Sequence, residues 1–260
     1  LTADLTYQNF DRDVDDPQGV SGEDNLGERP SLDSDDRVSL ASTNNDSEFD
    51  YDYVNLQLSW LIGDLELVSV SGWSDESRFY REENDRANYV TAPGAITWQS
   101  SDVDQEIWIQ ELRLSSNDND FWDWMVGAYY QDQDVATDFF ANTTSTLPEG
   151  TPAIGAYQFT LETFTDVPVE SEQWSLFTFN TFYLTDRWQV EAGLRYTDET
   201  KKADIASLVF NVNNPCNVVI GGPFCTFDFS DEADWQAWSG KLGLTYNMDI
   251  GLLYGNWSRS

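Results

Sequence analysis

Apolar side chains recur at every second position through four stretches of this chain, a period that belongs to β-strands with one apolar face. Val54, Leu56, Leu58 and Trp60 alternate with Asn55, Gln57 and Ser59. Trp122, Trp124, Val126, Ala128 and Tyr130 alternate with Asp123, Met125, Gly127 and Tyr129. The pattern returns in Trp188, Val190, Ala192, Leu194 and Tyr196, and again in Trp238, Gly240, Leu242, Leu244 and Tyr246. In all four the apolar face carries no charge, whereas Asp123, Glu191, Arg195 and Lys241 fall on the opposite face.

Less regular strands are expected over Leu1–Phe10, Leu65–Tyr80, Asp104–Ser115 and Trp174–Leu184, with a last one from Ile250. That makes about eight or nine. In two of these the strand is legible but its facing is not. Gln110 shares a face with Trp108, Leu112 and Leu114, and the run from Leu176 to Tyr183 is apolar on both faces.

The connections come in two sizes. Leu61-Ile62-Gly63-Asp64, Ser116-Asn117-Asp118-Asn119-Asp120, Thr185-Asp186-Arg187 and Asn247-Met248-Asp249 carry the Asn/Asp/Gly chemistry of tight hairpins. The others, at 11–49, 82–101, 141–168 and 203–233, are long and rich in Asp, Asn, Gly, Pro and Ser. Loops beyond about 12–15 residues are uncommon in compact domains. An all-β, antiparallel up-and-down meander with short turns at one end and long loops at the other has the asymmetry of a transmembrane outer-membrane β-barrel. Trp60, Trp122, Trp188, Trp238, Tyr130, Tyr196 and Tyr246 stand near the ends of their apolar faces, where the rings of an aromatic girdle would meet the lipid–water interfaces.

Composition removes other classes. With 13 Lys+Arg against 47 Asp+Glu, a net charge of −34 opposes a nucleic-acid partner. The absence of histidine excludes Ser-His-Asp and Cys-His nucleophiles and imidazole zinc sites. Disorder is excluded by 11 Trp, 12 Tyr and 15 Phe. No apolar run approaches the roughly 18 residues of a membrane helix, but a membrane strand needs only about 9–11.

Three ordered hairpins carry a resemblance. Gln110-Glu111-Leu112-Arg113-Leu114-Ser115-Ser116 with Trp124-Met125-Val126-Gly127-Ala128-Tyr129-Tyr130 resembles a hairpin of TonB-dependent outer-membrane receptors. Phe182-Tyr183-Leu184-Thr185-Asp186-Arg187-Trp188 with Ala192-Gly193-Leu194-Arg195-Tyr196-Thr197 resembles the next. Leu242-Gly243-Leu244-Thr245-Tyr246 with Leu253-Tyr254-Gly255-Asn256-Trp257-Ser258 resembles the one after that. The resemblance covers roughly residues 50 to 260. It implies that 1–260 is a partial receptor barrel, with the plug domain and remaining strands of a twenty-two-strand family barrel absent. It also implies outer-membrane localisation and uptake of ferric siderophores or another large scarce nutrient. The implied partners are outer-membrane lipid, the missing plug and strands, the TonB complex acting through the plug, and the ligand. The barrel wall would be no enzyme and need no cofactor.

Smaller features are weighed against this frame. Cys216 and Cys225, nine apart within one long loop, are expected to form a small disulfide, the alternative being two free thiols. Asp11, Asp13 and Asp15 have the spacing that opens a calcium loop, but Asp16 and Gly22 stand where an EF-hand needs Gly and Glu, so an acidic solvated loop is expected and no metal site is assigned. Close carboxylate pairs such as Glu82-Glu83 follow from sheer number. Glu111 and Arg113, and Glu191 and Arg195, on the lumenal face, are expected to pair with neighbours across the barrel wall or with the plug. Phe139, Phe140, Tyr157, Phe224 and Phe227 are candidate ligand contacts in the long loops, whose negative charge is expected to steer towards cationic or neutral ligands. The rival readings are a soluble secreted β-protein binding carbohydrate, a β-fold hydrolase using a carboxylate pair, and a passive porin.

Overall fold

The computed structural model describes residues 1–15, 45–83, 95–116, 119–146, 158–211 and 224–259. These form one antiparallel sheet: β1 (Thr2–Asp15), β2 (Asp46–Ile62), β3 (Leu65–Glu83), β4 (Ala95–Ser116), β5 (Trp122–Thr146), β6 (Gln158–Asp166), β7 (Val169–Tyr183), β8 (Trp188–Asn211), β9 (Phe224–Met248) and β10 (Gly251–Arg259). Each strand pairs with its sequence neighbours, except that β6 and β7 both lie between β5 and β8. They are two halves of one stave. Asp138↔Asp166 above the break and Val135↔Val169 below it keep the same register. Pro168 causes the interruption: its carbonyl accepts from Asp204 N at 3.1 Å, but it has no N–H to return the bond.

The short turns are where the sequence places them, and two are tighter than expected. Gly63-Asp64 closes β2 to β3, with Gly63 at φ 64°, a conformation that costs glycine little. Asp249-Ile250 closes β9 to β10, so Asn247 and Met248 belong to the strand. The long loops are a correction. The described ends of 11–49, 82–101, 141–168 and 203–233 are strand, because β1, β3, β5 and β8 run on to Asp15, Glu83, Thr146 and Asn211 before β2, β4, β6 and β9 return. The physical reason is that a ladder wet on both faces keeps its backbone hydrogen bonds while losing the apolar alternation that betrays a strand. Asp11 and Asp13 accordingly alternate along β1 opposite Asp50 and Glu48 and do not form a loop.

Candidate functional site: a two-faced wall

Partners across an antiparallel ladder point to the same side, so the register settles every facing. Counting from the four regular stretches, one face carries Leu5 and Tyr7 of β1, Val54 to Trp60 of β2, Leu65, Leu67 and Trp73 of β3, and Trp108, Leu112 and Leu114 of β4. It continues through Trp122 to Tyr130, Trp174, Leu176 and Phe182, Trp188 to Tyr196, Trp238 to Tyr246, and Leu253 and Trp257. These side chains have nothing of the chain above them: Leu176 is 55% exposed, Leu194 48% and Leu242 54%. We call this the outer face.

The two strands of uncertain facing are resolved by their neighbours. Gln110 does lie on the outer face, and its amide is satisfied there: Ser71 Oγ donates to its Oε1 at 2.6 Å, and its Nε2 donates to Ser69 Oγ at 3.0 Å. On β7 the outer set is Trp174, Leu176, Thr178, Asn180 and Phe182. Asn180 accepts from Trp122 Nε1 at 3.1 Å and donates to Thr178 Oγ1 at 3.1 Å. Such closed polar groups suit an apolar surround, where an unsatisfied donor costs several kcal/mol. Phe177 and Phe179 turn inward to cover glycines of the adjacent strands. A Cβ on Gly127 would sit 2.3 Å from the Phe177 ring, and one on Gly193 would sit 3.1 Å from Phe179.

Aromatic rings bound the outer apolar field in two rows. Trp60, Trp122, Trp188 and Tyr246 stand at the short-turn end, joined there by Phe182; the Trp122–Phe182 rings are 6.0 Å apart and Trp188–Tyr246 4.5 Å. Tyr130, Tyr196 and Trp238 stand at the other end with Trp73, Trp108 and Trp174, which the sequence reading did not single out. The missed signal is a constant spacing. Trp122 to Tyr130, Phe182 to Trp174, Trp188 to Tyr196 and Tyr246 to Trp238 are all eight residues apart. Eight residues span roughly 26 Å of strand, or about 20 Å of height at a tilt of about 40°, close to the ~25 Å apolar band of an outer-membrane barrel.

Immediately beyond the upper row the same face turns acidic. Two residues on from Trp73, Trp108, Tyr130, Trp174 and Tyr196 come Asp75, Glu106, Asp132, Glu172 and Asp198. Several rings donate to this row: Trp73 Nε1 to Glu106 at 2.7 Å, Tyr130 Oη to Glu172 at 3.0 Å, Tyr196 Oη to Asp198 at 3.2 Å and Tyr7 Oη to Asp52 at 2.8 Å. Amphipathic rings with apolar bodies and bonded polar tips mark the boundary between the two environments.

The inner face is polar and holds most of the described cations. Arg113 pairs with Glu111, two residues back on its own strand, at 2.8 Å. Glu191, however, takes Lys241 at 3.4 Å and leaves Arg195 to hydroxyls: Nη2 donates to Ser175 at 2.9 Å and Nε to Thr197 at 3.3 Å. Glu191 thus finds its partner across the wall, as expected: Lys241 stands on the adjacent β9 opposite Gly193. The Arg195 guanidinium lies 5.4 Å from the Tyr129 ring centroid and 5.8 Å from Phe177, a cation held by aromatic faces.

Of the candidate ligand contacts, Phe139 and Phe227 lie on the inner face and Phe140 on the outer, packed 4.8 Å from Trp98 and 4.6 Å from Phe164. Phe224 opens β9, and its side chain, like Tyr157 and the Cys216–Cys225 pair, lies outside the described residues. The carboxylates of the strand extensions stand mainly on the outer face: Asp50, Asp102, Asp104, Asp134, Asp138, Asp166 and Asp228 all point there. The acidity expected to steer ligands thus projects sideways, away from the inner wall.

A continuous apolar field between two aromatic rows on a long-stranded meander defines an outer-membrane barrel wall. The family model for the TonB dependent receptor-like β-barrel matches residues 1–260, and the chain belongs to that family. Among solved structures it is similar to the ferric yersiniabactin uptake receptor FyuA from Yersinia pestis, with TM-score 0.58 and 15% identity over 82% of this chain and 28% of that one. It is similar also to the siderophore receptor PiuA from Acinetobacter baumannii, with TM-score 0.56 and 12% identity over 98% of this chain and 39% of that one. At these identities the likeness is one of fold, and the chain spans well under half of either receptor. No curated protein matches the chain by sequence.

Proposed function

We propose that this chain is part of the barrel wall of an energised outer-membrane receptor that takes up ferric siderophores. The carrying observation is the outer apolar field, unbroken across the sheet and closed by aromatic rows, on a chain of the TonB-dependent receptor family. In this reading the girdle residues Trp60, Trp122, Trp188 and Tyr246 sit at the periplasmic interface, and Tyr130, Tyr196 and Trp238 at the outer one. The strands that complete the barrel flank β1 and β10, each of which pairs on one side only among the described residues. A plug inside contacts the polar inner wall and couples to TonB. Phe139 and Phe227, on the inner face of the extensions, are the candidate ligand contacts of this segment. The wall performs no covalent chemistry and carries no cofactor, and the Cys216–Cys225 disulfide braces a loop above it.

Uptake of radiolabelled ferric siderophore by cells producing the full-length protein tests this. Accumulation should require the protein and stop when a protonophore collapses the inner-membrane gradient. Uptake indifferent to the protonophore, together with leakage of small sugars, would replace the receptor by a passive pore. Extraction of the protein without detergent would overturn the membrane reading and favour a secreted carbohydrate binder.

A further inference from the structure

On the outer face, above the upper aromatic row, the strand extensions enclose a cavity of about 520 Å³, of whose lining the uptake reading uses Phe139 alone. Its floor is apolar: Phe140, Phe164 and Leu208 are register neighbours on β5, β6 and β8, and the Phe140–Phe164 ring centroids are 4.6 Å apart. Two residues below runs a row of acids. Asp102, Asp138 and Asp166 are direct cross-strand partners on β4, β5 and β6, and Asp228 lines the same cavity from β9. Like charges directly opposite one another destabilise a sheet. Among the described residues, the nearby outer-face cations do not relieve them: Lys202 is held by Asp204 at 3.2 Å and Glu170 at 3.9 Å, and Arg81 lies over the Trp98 ring beside Asp46. Burial and the Asp104 and Asp138 charges hold the Asp102 carboxyl, which lies above the membrane band, higher than the ordinary carboxylate range.

An apolar floor under an uncompensated row of carboxylates has one complementary chemistry, an apolar group carrying positive charge. We propose that this cavity is a docking site for a cationic amphipathic peptide, whose apolar side chain covers Phe140, Phe164 and Leu208 while its ammonium or guanidinium groups neutralise Asp102, Asp138 and Asp166. The peptide reaches the cavity from the flank of the barrel, above the lipid headgroups. It therefore does not compete with a ligand entering along the inner face.

The test uses the full-length protein in an uncharged detergent and a fluorescein-labelled hexapeptide of alternating lysine and phenylalanine, read by fluorescence anisotropy. Saturable binding is expected, weakening with added salt as a surface ion pair must. Asp138→Asn and Asp166→Asn should each weaken it roughly three- to fivefold, the scale of an exposed pair, and the double variant by more than either. These variants remove repulsion, so they keep the fold, and siderophore uptake should be unchanged in both. Phe164→Ser should weaken binding while leaving the salt dependence intact. Equal binding of a peptide with glutamate in place of lysine would overturn the proposal, as would affinity unaltered in the Asp138→Asn/Asp166→Asn protein. Binding of an uncharged serine–phenylalanine peptide with equal affinity would do the same. None of these outcomes bears on whether the inner wall transports iron.

Discussion

Below the upper aromatic row and above it, the same strands run in the same register, yet their outer faces are opposites. In the band beneath, from Trp122 to Tyr130 or from Trp188 to Tyr196, the outer positions carry no charge. In the extensions above, from Asp132 to Asp138 or Asp198 to Asp204, they are dominated by carboxylates. The backbone ladder is indifferent to the change, since its hydrogen bonds are made within the sheet in either surround. Only the side chains record the solvent. A membrane strand is thus an ordinary strand over its whole length, and the bilayer is written into roughly the third of it next to the short turn.

The sharpest way to break this contrast is to move a charge across the boundary. Ala192→Arg places a guanidinium on the outer face midway between Trp188 and Tyr196 and should cost roughly 2–4 kcal/mol. Gln236→Arg, two residues beyond Trp238 on the same face, should cost almost nothing. Urea unfolding of the full-length protein in phospholipid vesicles measures both; equal penalties would erase the boundary drawn at the upper row.

A smaller effect tests the inner face of the band. Because a Cβ at Gly127 would stand 2.3 Å from the Phe177 ring, Gly127→Ala must displace that ring or the strand, at about 1–3 kcal/mol. Shortening the obstacle with Phe177→Leu should recover part of the loss in the double variant, a coupling that unfolding cycles would detect. Additive losses would mean that the ring does not rest on the glycine.

Much of this architecture is legible in the chain, and the parts that are not fail for definable reasons. The four regular strands are readable because lipid and lumen sort alternate residues. Gln110 and the Leu176–Tyr183 run mislead because their partners lie elsewhere in the sequence: Ser69 and Ser71 satisfy the amide, and Gly127 and Gly193 make room for Phe177 and Phe179. The extensions read as loops because water on both faces removes the period. Tyr130, Tyr196 and Trp238 are placed by their apolar faces, but Trp73, Trp108 and Trp174 emerge only once the eight-residue spacing is combined with the register. The direction of the acidic charge was the least visible property, because a net charge has no facing.

The extensions offer a pH test with the opposite sign to ordinary acid unfolding. Asp102 has its folded-state pKa raised above 3.8 by burial first, then by Asp104 and Asp138. The folded chain therefore holds that proton more tightly than the unfolded chain does. Its favourable contribution is present below the ordinary carboxylate pKa and is lost as pH rises through the raised value. Asp102→Asn should leave stability unchanged in acid and raise it by a few tenths of a kcal/mol at neutral pH, with added salt shrinking the gain.

The smallest effect belongs to the turns. Arg187 and Asp249 bridge two adjacent short turns at 3.0 Å, with side chains 55% and 83% exposed. In full solvent such a pair gains little Coulomb energy and gives up side-chain freedom, so Arg187→Ala should shift stability by no more than about 0.5 kcal/mol. The turn is held instead by its own backbone: Leu184 N donates to Trp188 O at 2.9 Å, and Asn247 N to Arg187 O at 2.8 Å. An alanine at 187 keeps both bonds. If unfolding in urea showed a loss of 2 kcal/mol or more, the turn would depend on the guanidinium and not on its backbone bonds.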